Sequence, residues 1–240
     1  MEEAEVGKNM FQEFLSRIPG FCRGIVLRIM IGILIFVVAS IYFGVKYWMD
    51  VKKIDSWPKE TPKDTVSIYS PEQAKELVGD LAGKVIVVIK NKDANALAGY
   101  ASPLKGVRFS PYSFINTDWD KIFSAQEIKT FFINTEIYAW GAYDGSGQII
   151  DFTPSQYYDR FIYDKDFANA PEIGYNQELG RGNAPSNIFE EYTKNTIFVE
   201  YYFEGTEVER GMDWKSLRLV FQKENEQWYL VGIVHAEWTI

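Results

Sequence analysis

The sequence predicts an α+β domain carried behind one N-terminal transmembrane helix. Three observations carry this: a long apolar run before residue 50, three helix-start signatures between residues 70 and 156, and a closely spaced set of β-rich segments after residue 195.

The apolar run GIVLRIMIGILIFVVASIYFGVKYW covers Gly24 to Trp48 and holds no charge from Ile29 to Val45. About 20 helical residues cross the hydrocarbon layer, which places a transmembrane helix at 25–48. Arg28 and Lys46 stand where long side chains snorkel, and Tyr42, Tyr47 and Trp48 supply one aromatic belt. Val38-Ala39-Ser40 loosely suits signal cleavage, but the run continues through Ile41, Tyr42 and Phe43 and outlasts a signal-peptide core. Residues 1–24 form a cytoplasmic or interfacial segment in which Phe11, Phe14, Leu15 and Ile18 share one helical face. Residues 49–65, with Pro58 and Pro62, read as a stalk. Basic residues flank the anchor almost equally on both sides. The orientation therefore follows the habit of N-terminal signal anchors: a cell-membrane, single-pass protein with residues 66–240 outside the cytoplasm.

With 47% hydrophobic and 24% charged residues, the chain has the composition of a domain with a real core rather than a disordered one. Rings are abundant, and their plain use is packing. From residue 66 onward there are 16 Lys plus Arg against 25 Asp plus Glu, a balance of −9. That acidity argues against a nucleic acid partner, whose phosphates need cations. Cys22 is the sole cysteine, so the domain holds neither a disulfide nor a cysteine metal site.

Helix starts recur as Ser70-Pro71-Glu72-Gln73, Ser124-Ala125-Gln126-Glu127 and Thr153-Pro154-Ser155-Gln156. In each, a hydroxyl and a side chain three residues later satisfy each other's free backbone donors, and proline at the first helical position loses nothing. Helices are expected at 71–91, continuing near 93–101, and at 125–133 and 154–163. Strands are expected at 137–143 and 148–152 around the turn Asp144-Gly145-Ser146-Gly147, and as an antiparallel meander at 196–203, 216–222 and 227–237. Residues 164–192 read as a long ordered loop. Its glycines at 174, 180 and 182 lack the strand and helix setting of a phosphate loop, so tight turns or close packing explain them better.

A two-residue loop at Glu224-Asn225 would pair Leu219 with Leu230, Phe221 with Trp228 and Leu217 with Gly232. This makes one apolar core face, continued by Val234. The other face then carries Trp214, Ser216, Arg218, Val220, Tyr229, Val231, Ile233, His235 and Glu237, joined by Glu200 and Tyr202. A half-apolar wall with a few convergent polar groups is what a ligand pocket requires. The candidate pocket residues are Glu200, Tyr202, Trp214, Arg218, Tyr229, His235 and Glu237. The competing reading is structural: a hydrogen-bonded His235 and an Arg218–Glu200 ion pair. A lone imidazole with scattered carboxylates is no recognisable metal set, so neither metal nor cofactor is assigned, and no catalytic residue is named.

The order of elements resembles the nuclear transport factor two-like cone, a curved antiparallel sheet packed on helices, with VIVVIKNKDANALAGYASP at 85–103 similar to its helical opening. KGVRFSPY at 105–112, WGAYDGSG at 140–147, FANAPEIGYNQELGRGN at 167–183, GMDWKSLRLVF at 211–221 and WYLVGIVHAEWTI at 228–240 resemble an uncharacterised bacterial family of exported or membrane-anchored proteins. The resemblance implies export and a shared fold, and no activity. Three function classes follow. The first is a membrane-anchored binding or assembly module for an envelope protein or cell-wall polymer, with Trp140, Tyr143, Tyr157, Tyr158, Tyr163 and Tyr175 as possible sugar-stacking rings. The others are a small-molecule enzyme working in the cone, through His235 and a carboxylate with Arg218 holding an anionic substrate, and a scaffold of a secretion complex.

Overall fold

The structure, a computed structural model, describes Ser40, Tyr42, Lys46 and residues 69–182, 185–192 and 195–239. The expected segments 1–24, 25–48 and 49–65 therefore lie outside the described residues, apart from those first three, each of which is helical. No helix among the described residues is long and apolar enough to cross a membrane.

The domain is mixed α+β. Helix α1 (Pro71–Lys90) starts at the expected capping box, in which Ser70 and Gln73 each bond the other's backbone, and it presents Ala74, Val78, Ala82, Val85, Ile86 and Ile89 as one buried stripe. Fully burying each Val or Ile contributes about 1.5–3 kcal/mol. The helix ends at Asn91-Lys92, where Lys92 takes a left-handed φ of 52°. A second short helix, α2 (Ala94–Tyr100), is capped by Asp93. Strands β1 (Val107–Ser110) and β2 (Lys121–Phe123) precede α3 (Ala125–Ile128). The hairpin of β3 (Tyr138–Ala142) and β4 (Ile149–Phe152) leads into α4 (Pro154–Phe161). A 3-10 turn at Phe167–Asn169 precedes β5 (Glu172–Tyr175) and α5 (Ile188–Glu191). The chain closes with β6 (Thr196–Phe203), β7 (Lys215–Glu224) and β8 (Gln227–Glu237).

The main sheet has the order β2-β1-β8-β7-β6-β5. The expected meander β6-β7-β8 is antiparallel and lies at its centre, but β1, β2 and β5 extend it, and β1 runs parallel to β8. These three strands have three or four residues each, too short to show a period of two.

The β7–β8 hairpin corrects the expected register. The loop is Asn225-Glu226, both at positive φ of 46° and 69°, the combination that a type I′ turn demands and that favours asparagine first. Phe221 therefore pairs with Leu230, and Lys223 with Trp228. Past that point the register shifts: Val220 pairs with Gly232, Leu219 with Ile233, and Leu217 with His235, leaving Val231 as the extra residue of a bulge. One extra residue inverts the alternation of everything beyond it. Ile233, His235 and Glu237 accordingly share the face of Leu217 and Leu219, while Val234 crosses to the face of Arg218 and Val220.

Both faces are covered. One packs on α1, α2 and α4 through an aromatic core, in which Phe109, Phe123, Phe131, Tyr138 and Tyr157 surround Trp140, itself stacked on Tyr157 at 3.8 Å. The other face buries Phe198, Val220, Val231 and Val234 under Ile115, Ile188, Phe189 and Tyr192.

Candidate functional site

The seven sequence-derived pocket residues do not form one wall. The bulge at Val231 sends His235 and Glu237 to one face of the sheet and leaves Glu200, Arg218 and Tyr202 on the other. Tyr229 lies near the hairpin loop, at the opposite end of the sheet from Trp214. None of the seven lines any of the four cavities described.

Arg218 and Glu200 are opposed residues of β7 and β6, both fully buried, with Nε 3.2 Å from Oε1. Arg218 also reaches Glu178 (3.2 Å), the carbonyl of Gly180 and the hydroxyl of Ser186 (3.1 Å each). Glu200 accepts from the backbone N–H groups of Leu179 (2.7 Å) and Gly180 (3.2 Å). Every partner outside the sheet is one of Glu178, Leu179, Gly180 and Ser186, so the pair is a clasp that holds these residues against the sheet. The glycines complete it: a Cβ at Gly180 would lie 2.4 Å from the Trp214 indole, and one at Gly182 3.2 Å from it. Close packing is thus their purpose here.

His235 is sealed on the opposite face. Its Nδ1 donates to the Pro111 carbonyl (3.2 Å) and its Nε2 faces Asp164 (3.3 Å). Asp164, His235 and Glu237 bring potential ligand atoms within 4.8 Å of one another. Lys215 binds both carboxylates, however, and Arg160 donates to Glu237 at 2.6 Å. Two fixed cations balance two carboxylates, so a divalent ion would meet local repulsion, and an ion-pair network tying α4 to the sheet end describes the group better. Burial alone would raise Asp164, but hydrogen bonds and charge from His235 and Lys215 outweigh it and hold the carboxyl at about 2. Enclosed and engaged through both ring nitrogens, His235 is placed to brace rather than to exchange protons with a substrate.

A different group meets the requirements of a site. A cleft of about 630 Å³ opens between the loop after β1 and the β3–β4 hairpin. Tyr112, Phe114, Trp119, Trp140 and Tyr143 line it, with Asn116, Asp120 and Asp144, and among the described residues no Lys, Arg or His does. Trp119 and Phe114 are 43% and 49% exposed, so these two rings stand open to a ligand. Tyr112 and Tyr143 are each braced on Phe161, at 5.7 and 6.1 Å. Trp140 borders the cleft but is fully buried in the core and offers no stacking face; of the six proposed stacking rings, Tyr157 and Tyr158 are likewise core.

Asp120 is buried in this cleft, accepting from Ser110 Oγ at 2.5 Å and from the Asn116 N–H at 3.1 Å. Burial drives its carboxyl up to about 7, only partly offset by Ser110 and Arg108. A buried acid with so displaced a proton affinity, in a cleft, marks a functional candidate on physical grounds. Sequence reasoning missed it because an aspartate in a loop carries no spacing signal. The one available hint was the crowding of Tyr112, Phe114 and Trp119 around Asp118 and Asp120.

The displacement has a testable sign. Asp120 protonates near 7 in the folded domain and near 3.8 when unfolded, so its stabilising contribution is complete below about pH 4 and is lost as pH rises towards 7. Asp120→Asn, which never ionises, is expected to be more stable than the parent by on the order of 2 kcal/mol at pH 8, with little difference at pH 4. Urea unfolding at the two pH values measures it; equal differences at both would remove the burial argument.

No family model matches the chain, and no curated protein matches it, so the motif likenesses have no counterpart in either comparison. Among solved structures, one similar chain is a putative calcium/calmodulin dependent protein kinase II association domain from Xanthomonas campestris. It is 11% identical, with a TM-score of 0.29, over 67% of this chain and 84% of that one. Another is a designed chain of the nuclear transport factor two type, 12% identical, with a TM-score of 0.26, over 66% and 98%. Likenesses this slight carry no weight for the function of this chain.

Proposed function

We propose that this protein is a membrane-tethered, extracytoplasmic binding module with a cone-like domain, whose ligand is an uncharged sugar ring of a cell-wall polymer seated in the aromatic cleft. The observation that supports it is the composition of that cleft: exposed Trp119 and Phe114 with braced Tyr112 and Tyr143, hydrogen-bonding Asn116, Asp120 and Asp144, and no cation among the described lining residues. Flat rings take the apolar faces of sugars, carboxylates and amides take their hydroxyls, and the absence of Lys and Arg disfavours anions. The charge-free run from Ile29 to Val45 supports the tether, and the acidic domain suits a solvated position beyond the membrane surface.

The test uses the full chain in detergent, titrated with soluble cell-wall oligosaccharides and pulled down with insoluble wall polymer. Trp119→Ala and Tyr143→Ala are each expected to weaken binding by about tenfold, the loss of roughly 1.4 kcal/mol of stacking, while leaving the melting temperature in place. Binding unchanged in both variants would overturn this reading, as would a parent protein that retains neither form of the polymer. One observation favours a hydrolytic variant of it. Asp120, with its proton affinity near neutrality, is suited to acid–base work on a bound sugar. Slow cleavage by the parent that disappears in Asp120→Asn, with binding kept, would establish that variant.

A further inference from the structure

A second cleft, of about 490 Å³, lies beside the Val231 bulge. Lys105, Arg108, Ile122, Glu191, Tyr192, Thr196, Gln222 and Val231 line it. Its chemistry is opposite to that of the aromatic cleft. Arg108 projects from β1, where it pairs with Ile122 on one side and with Gly232 of β8 on the other. A Cβ at residue 232 would lie 2.4 Å from the Tyr192 hydroxyl, so glycine there is what lets that phenol lie against the sheet next to Arg108. Lys105 is steadied by donating to Gln222 at 2.7 Å.

Two donors in this cleft are orphaned. Arg108 Nη1 and Tyr192 Oη are both buried and lie side by side; neither makes a well-formed hydrogen bond to a described residue, and where the guanidinium leans on the phenol oxygen the phenol proton itself still has no acceptor. Buried donors without acceptors are costly, by about 1–3 kcal/mol each and more for a charged group. The phenol stays protonated, because burial raises its proton affinity further above the usual range. The two carboxylates that bear on Arg108 and Tyr192 are Asp120 and Glu191; Asp120 is engaged with Ser110 and Asn116, whereas Glu191 is exposed and has no ion pair among the described residues.

We propose that the cleft between Arg108, Tyr192 and Lys105 is a binding site for a phosphate-type oxyanion, either the free ion or a phosphate monoester. A guanidinium edge, an ammonium and a phenol O–H approach from different elements, a set of donors that suits an oxyanion with several acceptor oxygens. The ligand would satisfy both orphaned donors at once. Glu191 at the rim opposes it, and so weakens the site without destroying it.

The site shares no lining residue with the aromatic cleft, so the two readings stand or fall separately. Full-length protein in detergent is titrated calorimetrically with inorganic phosphate, with glycerol phosphate and with acetate, at constant ionic strength set by chloride. Saturable binding of phosphate or glycerol phosphate is expected, and the tighter of the two tells the free ion from the ester. Arg108→Gln should weaken it by about tenfold or more, and Tyr192→Phe by about threefold. Glu191→Gln changes only an exposed group and should tighten binding by about threefold. This last variant keeps the test decisive if Arg108→Gln fails to fold. Absence of saturation with either phosphate compound, equal affinity for acetate, or indifference to Glu191→Gln would overturn the proposal.

Discussion

Replacing Arg218 by alanine is expected to destabilise the folded domain by about 3–5 kcal/mol, the usual cost of removing one partner from a buried ion pair. The physical case is specific. Arg218 is fully buried and stands between Glu200, also fully buried, and the largely enclosed Glu178. Its loss strands a carboxylate in a low-dielectric interior and releases the carbonyl of Gly180 and the hydroxyl of Ser186 from the clasp. Glu200→Ala should cost less, because Arg218 would keep Glu178, Gly180 and Ser186 as partners. The double variant Arg218→Met with Glu200→Leu should cost less than the two alanine changes summed, since no charge is left unpaired. Urea unfolding gives all these values. Costs below about 1 kcal/mol for both single changes would show that the pair behaves as a solvated surface contact.

Truncation after Lys223 is expected to abolish cooperative unfolding altogether. The deleted strand β8 lies in the middle of the sheet, between β1 and β7, and is the strand through which the β1–β2 pair joins the rest. With it go Leu230, Ile233 and Val234, all essentially inaccessible to solvent, and the bracing of Asp164 and Lys215 by His235 and Glu237. Each apolar side chain contributes about 1.5–3 kcal/mol by burial, against a total stability of about 5–15 kcal/mol for a domain of ordinary size. The backbone partners of β1 and β7 would also be left unpaired. Circular dichroism and calorimetry on the truncated chain decide the matter. A sharp melt near the parent temperature would mean that β8 is peripheral.

The residues that brought function into view differ in kind from those that brought the fold into view. Helix α1 was legible from Ser70 to Gln73, and α4 from Thr153 to Gln156, because a cap is a contract among four consecutive residues and needs nothing from the rest of the chain. The same holds for the turn at Asp144 to Gly147 and for the alternation Leu217, Leu219, Phe221, which states which face of β7 is uniformly apolar wherever the strand lies. Acidity and the uninterrupted apolar run before residue 46 are likewise properties of composition alone.

Other features exist only once distant segments meet. The bulge at Val231 divided the expected pocket in two, and next to it Gly232 accommodates the Tyr192 hydroxyl from a segment some 40 residues away in sequence. Whether Arg218 would face a ligand or a carboxylate was settled by Glu178, Gly180 and Ser186 closing over it, and His235 by Asp164 and Pro111 arriving from segments no local pattern could align with it. Asp120 became an acid of displaced affinity through burial, and burial is a sum over neighbours. Local sequence thus determined the capped helix starts, the hairpin turn and which face of the long C-terminal strands is apolar, because caps, turns and periodicity act over a few residues; the short strands β1, β2 and β5 are too brief to carry such a pattern. Tertiary structure alone decided register, the pairing of charges and the location of the clefts, because those free energies depend on what the fold brings to within a few ångströms.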